Sequence, residues 1–386
     1  MDGADRPTLR VVDRLATVPA DAWDACAGDH PFVTHAFLQA LEESGSATAE
    51  TGWLPQHLLL EDSGGNLIGA APLYVKSHSY GEYVFDHGWA DAYERAGGHY
   101  YPKLQVAVPF TPVPGPRLLL RPEARADTMR LLISGLLEVA KRTAVSSLHV
   151  TFPTRPECDA LVNAGFLRRV GRQFHWENQG YRSFDDFLGA LTARKRKQIK
   201  RERRDANAAV RIELLSGADL KSHHWDAFFR FYTSTSDRKW GSPYLTREFF
   251  DLLGQRMADR ILLVMAKDGA RYVAGALNLI GSGTLYGRNW GCVGDFPFLH
   301  FEACYYRAID FAIARGLNRV EAGAQGPHKL QRGYLPQPTY SAHWIRDPGF
   351  RRAVADFLRR ETVAVENEMD ELEQSLSPFR REGDGP

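Results

Sequence analysis

The stretch Arg260–Gly291, RILLVMAKDGARYVAGALNLIGSGTLYGRNWG, decides the fold. Three apolar runs are separated by two turn signals, Asp268-Gly269 and Ser282-Gly283, each short enough to reverse the chain at once. That pattern predicts a three-stranded antiparallel meander. Helical periodicity flanks it, with HWDAFFRFYTSTSD and REFFDLLGQRM before and LHFEACYYRAIDFAIARG after. Gly316 stops the last helix, and NRVEAGA returns as a strand.

The first half of the chain repeats this order. GGNLIGAAPLYV, Gly64–Val75, matches DGARYVAGALNLI, Asp268–Ile280, as the second strand of a hairpin with small residues in mid-course. LLEVAKRTAVSSLHVTF, Leu136–Phe152, matches AIDFAIARGLNRVEAGA, Ala308–Ala324, as helix, turn and strand. Alternating strands and helices with internal self-similarity predict an α/β fold (α+β mixed sheets) built from a duplicated unit. The expected division is an N-terminal domain over 1–178, a second over 179–348 and a C-terminal helix over 349–377. The halves differ most in an insert at 78–117, whose five prolines and many aromatics predict stiff, hydrogen-bonding loops and a shaped binding wall. The C-terminal helix carries Val354, Phe357, Leu358, Val365, Met369, Leu372 and Leu376 on one stripe. It is expected to dock on the body or to pair with a second copy as a homodimer.

Composition narrows the function classes. A net charge of +1 gives no global pull toward nucleic acid or anionic lipid, so any such attraction must be local. Cys26, Cys158, Cys292 and Cys304 are widely spaced, which predicts neither a metal cage nor a disulfide framework and fits a cytoplasmic location. No membrane span is expected. The chain lacks G-x-S-x-G, H-E-x-x-H, G-K-[ST] and a strand followed by G-x-G-x-x-G, which removes the usual hydrolase, metalloprotease, nucleotide-triphosphatase and dehydrogenase readings.

Four clusters remain. RKRKQIKRERR, Arg194–Arg204, puts eight basic residues on one helix, either a solvated face or a grip on phosphates. TSTSDRKWGSPYL contributes Asp237 and Trp240, and LYGRNWGCVGDFPFLHFEA contributes Arg288, Asn289 and Trp290 at a strand end. The two tryptophans also fit a core. EAGAQGPHKLQRGYLPQPTYSAHW places His328, Lys329, Arg332 and Tyr334 in a glycine-punctuated turn after a strand, where ligands gather in α/β sheets. A lysine there can neutralise an oxyanion or a phosphate. His343 and His87 are further candidate proton acceptors.

FDHGWADAYERAGGHYYPKLQVAVPFTPVPGPRLL, KWGSPYLTREFF and EAGAQGPHKLQRGYLPQPTYSAHWI together resemble the FemAB-like N-acyltransferases of the GNAT superfamily, over about Val33 to Ile345. The resemblance implies tandem duplicated GNAT-like domains in a cytoplasmic enzyme moving an acyl or aminoacyl group to the amine of a small-molecule or peptide acceptor. The expected co-substrate is acyl-CoA or aminoacyl-tRNA, with no tightly bound cofactor and no metal. ARKRKQIKRERRDA resembles the basic Fem helix, implying tRNA contact through Arg194–Arg204. HKLQRGY resembles the Fem segment whose lysine and aromatic line the transfer site, here Lys329 and Tyr334. The GNAT pyrophosphate loop, [QR]-x-x-G-x-[GA], is matched only as far as Arg288-Asn289-Trp290-Gly291-Cys292-Val293, so the donor stays open between the two.

Roles follow as expectations. Lys329 stabilises the oxyanion or the donor, and Asp86 or His87 handles proton transfer or acceptor binding. Arg288, Asn289, His328, Arg332 and Tyr334 hold the donor; Tyr100, Tyr101, Lys103, Asp237, Trp240 and Trp290 line the acceptor site. The rival reading is a non-catalytic module that binds a cell-wall precursor or RNA.

Overall fold

The computed structural model describes residues 7–124, 126–239, 243–323 and 326–380, the side chains at 236–239 and 327 excepted. The chain divides into two units, Met1–Gly171 with Pro338–Val365 and Arg172–Gln337 with Glu366–Pro386. No helix among the described residues is long and apolar enough to cross a membrane.

In the first unit, His57–Glu61 and Leu67–Ala71 form the expected hairpin. Asp62 fastens its turn by accepting from the backbone N–H of Gly64 and of Asn66 at 2.9 and 2.8 Å. Pro72 then interrupts the run, since it has no N–H to give to a ladder. Leu67–Ala71 stays beside His57–Glu61, while Leu73–Lys76 pairs antiparallel with Lys103–Val106. Lys103–Val106 lies parallel to Ser147–Thr151, which pairs antiparallel with Ser341–Ile345. Helix Thr128–Arg142 covers this sheet through Leu132, Ile133, Leu136 and Ala140.

The second unit repeats the scheme. Ile261–Asp268, Arg271–Ile280 and Thr284–Cys292 are the antiparallel meander that the turns predicted. Thr284–Cys292 runs parallel to Arg319–Glu321, which pairs antiparallel with His175–Glu177. Both units therefore share the order antiparallel, antiparallel, parallel, antiparallel, and the duplication read from the sequence holds at the level of topology.

Three details differ from expectation. Strand Leu335–Ile345 falls within the expected second domain of 179–348, yet Ser341–Ile345 is hydrogen-bonded to Ser147–Thr151 of the first unit, which takes in the chain from Pro338. FDDFLGALTARKRKQIKRERRDA, whose pattern predicts one helix, forms two, Phe184–Ala190 and Ala193–Ala209. Leu191 and Thr192 turn extended between them, and Thr192 N–H donates to Pro378 O at 3.0 Å. The insert at 78–117 holds a helix, His87–Arg95, and the strand Lys103–Val106 as well as loops. The C-terminal helix, Pro348–Leu376, docks: Val354 and Leu358 bury against Trp89, Ala90 and Tyr100 within the first unit.

Candidate active site

The second unit's sheet opens where its parallel pair ends. Pairing runs from Thr284↔Arg319 to Tyr286↔Glu321 and stops. One residue further on, Leu277 faces Asn289 while Asn278 faces Gly287, so Arg288 is the extra residue of a β-bulge. Bulges bend and twist a strand and re-aim its side chains, which favours them beside active sites. Between the parted strands lies a cavity of about 450 Å³. Gly287, Arg288, Asn289 and Trp290 line one side, and Ala322, Gly326, His328 and Lys329 the other.

The helix after the meander closes the cavity with His300, Cys304 and Tyr305. It is α-helical over Leu299–Phe301 and Arg307–Ala314, but Glu302–Tyr306 is a π turn. Such a turn inserts a residue into the helical repeat and shifts the face that follows it. Cys304 and Tyr305, both in this turn, sit at the cavity while Tyr306 enters the core.

Lys329 lies on a short 3-10 turn, Pro327–Arg332, between Gly326 at φ +120° and Gly333 at φ +88°. Left-handed backbone at both ends explains the glycines. Arg332 anchors the turn. Its guanidinium stacks on Phe301 at 3.4 Å, donates to Glu202 at 3.0 and 2.9 Å and to His328 O at 2.8 Å. Glu202 comes from the inner face of the basic helix and also accepts from Gln198 at 2.9 Å and from Tyr306 OH. Lys329, only 2% exposed, is thereby folded inward, with Nζ donating to Gly323 O at 2.8 Å. No carboxylate lies within salt-bridge distance of it among the described residues. Burial without a counter-ion lowers its pKa to about 7.

The outer face of the basic helix is different. Arg194, Lys197 and Arg201 are exposed and make no ion pair among the described residues, whereas Arg203 turns inward to Glu302 and Asp310. The eight basic residues thus divide into a structural set and a free cationic face.

The first unit holds a buried polar network. Lys103 Nζ donates to Ser79 Oγ at 2.7 Å, Glu82 Oε2 at 2.8 Å and Asp86 Oδ2 at 2.5 Å. Tyr100 OH donates to Asp86 at 2.7 Å, and His149 Nε2 lies 2.8 Å from Ser147 Oγ and 3.3 Å from the Tyr100 oxygen. His149 Nδ1 and His343 Nδ1 share one hydrogen bond at 2.7 Å. Burial holds both imidazoles neutral, His149 at about 3 and His343 well below its ordinary value. For Asp86 burial pushes upward, but the Lys103 ammonium and its hydrogen bond hold the carboxyl well below the usual range. Burial raises Glu82 to about 7 despite Lys103. It lowers Lys76, 3.7 Å over the Trp53 ring, to about 7.

Of the residues singled out in the sequence, Lys329, His328, Arg288, Asn289 and Trp290 meet around the cavity. Arg332 and Tyr334 do not line it. Arg332 is occupied by Glu202 and Phe301, and Tyr334 is fully buried, its OH reaching Tyr305 O at 3.3 Å. Asp86, Tyr100 and Lys103 share the first unit's network, Tyr101 joins it through Ser79 at 2.8 Å, and His87 is exposed. Trp240 and the Asp237 side chain lie outside the described residues. Asn278, His300, Cys304, Tyr305 and Glu202 were not singled out. One signal was Asn278 itself, a polar residue inside the apolar run AGALNLI. Another is Glu321, facing His175 at the point where the strands part, its carboxyl raised to about 8 by burial.

A meander, a bulged strand and a parallel neighbour that parts from it define a GNAT-type α/β architecture, present here in a two-unit chain. The chain belongs to the FemAB-like family, described as peptidoglycan biosynthesis/recognition, which it matches over residues 14–381. A search by sequence finds no match among curated proteins. Among solved structures it is similar to FemX, with a TM-score of 0.54 at 10% identity, covering 90% of this chain and 100% of that one. It is also similar to L-PGS from Bacillus licheniformis, with a TM-score of 0.50 at 10% identity over 88% and 96%. The C-terminal domain of a putative lysylphosphatidylglycerol synthetase from Agrobacterium fabrum gives 0.51 at 9% identity over 88% and 95%. At such identities the likeness is one of fold.

Proposed function

We propose that the protein is an N-acyltransferase that moves an acyl or aminoacyl group from an activated donor to an amine of a cell-wall precursor or related peptide. The observation that carries this reading is a buried lysine, with no carboxylate in reach among the described residues, in the cavity where the sheet parts. The acceptor nitrogen attacks the donor's ester or thioester carbon, and the carbonyl oxygen gains negative charge. The protonated form of Lys329 donates an N–H to that oxygen as its charge develops, and the barrier falls because this interaction strengthens in the transition state. Arg288, Asn289 and His328 position the donor. Asp86, in the first unit, is held ionised and is too weak a base to keep a proton at neutral pH, so water takes the proton from the acceptor nitrogen.

Two observations favour aminoacyl-tRNA over coenzyme A as donor. The Val293 N–H, at the end of the loop that would hold a pyrophosphate, already donates to Val273 O at 2.8 Å. The free face of Arg194, Lys197 and Arg201 suits a longer run of phosphates. FemAB-like membership and the four free cysteines support a cytoplasmic enzyme of cell-wall metabolism.

The test is transfer itself, followed by mass spectrometry with acyl-CoA and charged tRNA against candidate amines. Lys329→Ala is expected to lower turnover on the order of 10² to 10³. Turnover within a few fold of wild type overturns the oxyanion role, and tight precursor binding without transfer from any donor favours the binding module.

A further inference from the structure

We propose that Lys329 is itself a covalent acylation site, its Nζ capturing small activated acyl esters as a stable amide. The hydrogen bonding around it argues for an available lone pair. As an ammonium, Nζ would carry three N–H donors, for which it has one acceptor among the described residues, Gly323 O, leaving two donors to the cavity. As a neutral amine it leaves one N–H and a lone pair beside a cavity of about 450 Å³. The groups that line the cavity with it, Arg288, His300, Cys304, Tyr305 and His328, include no carboxylate that would draw a proton onto it. Burial, the cause of its lowered pKa of about 7, thus supplies a neutral amine at a pH where exposed lysines are charged.

In the step, Nζ attacks the carbonyl carbon, the C–N bond forms and the C–O bond to the leaving alkoxide or phenolate breaks. The amine's proton leaves with that group or to water. Nothing is oxidised or reduced. The product carries no charge at 329, so capture of an acyl group disables the site for oxyanion stabilisation.

The probe is p-nitrophenyl acetate, with peptide mapping for a hydroxylamine-resistant acetyl group that distinguishes the amide from a thioester on Cys304. A pKa near 7 exposes about 10³ times more neutral amine at neutral pH than an ordinary lysine, and lower basicity and restricted access return part of that. The expectation is that Lys329 is labelled about tenfold faster than exposed Lys197 and Lys200 at pH 7.5. Its rate should level off above pH 8 while theirs still climbs. Lys329→Arg should lose the label at that peptide alone, and should that variant not fold, the wild-type pH profile decides. Labelling no faster than Lys200, or a label removed by hydroxylamine, overturns the inference. The inference does not need the transferase reading: labelled Lys329 in a chain that transfers to no amine leaves it standing and removes the proposed function.

Discussion

The first unit buries Lys76 and Lys103 and the second buries Lys329, and of these Lys103 and Lys329 have opposite chemistry. Lys103 sits in the first unit, and although burial alone would lower its pKa, Glu82 and Asp86 carry it above the ordinary value. Lys329, in the second, has a carbonyl for company and falls to about 7. Depth is the same, so depth does not decide. What decides is whether a carboxylate is folded in with the amine, because removing an ion from water costs several kcal/mol unless a nearby opposite charge offsets it. Lys103 is therefore a structural cation that ties Ser79, Glu82 and Asp86 to one strand, and Lys329 is a buried amine with no carboxylate in reach among the described residues.

Breaking the first half of that contrast has the largest expected effect. Lys103→Met leaves Glu82 and Asp86 buried without their cation and should cost about 3–5 kcal/mol of stability by denaturant unfolding. A loss under about 1 kcal/mol would mean the network carries no net charge to neutralise.

The second test reads both lysines through pH. The folded chain holds Lys329 neutral above about pH 7 while the unfolded chain keeps it protonated to its ordinary value of 10.5. The unfolded state then binds the extra proton, so wild type should gain stability relative to Lys329→Met as pH rises, on the order of 1–2 kcal/mol between pH 7 and 9. Lys103, raised rather than lowered, is protonated in both states there and contributes no such slope. A flat difference for Lys329 would mean that it is charged and paired after all.

The smallest expected effect on stability comes from the free cationic face. Replacing Arg194, Lys197 and Arg201 together by Ala should change unfolding free energy by about 0.5 kcal/mol or less per site, since none makes an ion pair among the described residues. RNA affinity, if the donor is a tRNA, should fall and its salt dependence flatten by about one slope unit per lost phosphate contact. Salt-insensitive binding in wild type would remove the aminoacyl-tRNA donor while leaving the lysine contrast intact.

Legibility varied with the range of the cause. Asp268-Gly269 and Ser282-Gly283 announced their hairpins because a turn is settled by adjacent residues. Lys329 could be found because Gly326 and Gly333 mark a turn just past a strand, where ligands collect. Arg332, three residues on, could not be told from it by pattern. Its carboxylate, Glu202, is 130 residues upstream, hidden in what reads as an unbroken run of charge. The π turn was equally hidden: LHFEACYYRAIDFAIARG has ordinary helical periodicity, yet the extra residue brings Cys304 and Tyr305 to the cavity. Pro72 was a signal visible in the sequence whose consequence, the transfer of a strand from one ladder to another, needed the partners to be known.

The amino-acid order by itself determined the two-fold repeat, the meander in each half and the family, because these rest on local turns, periodicity and long motifs. It also placed a lysine at the right point of the chain. Only the tertiary structure decided which buried lysine is a tethered cation and which a neutral amine, since a pKa depends on charges within a few ångströms, and those neighbours arrive from distant parts of the chain.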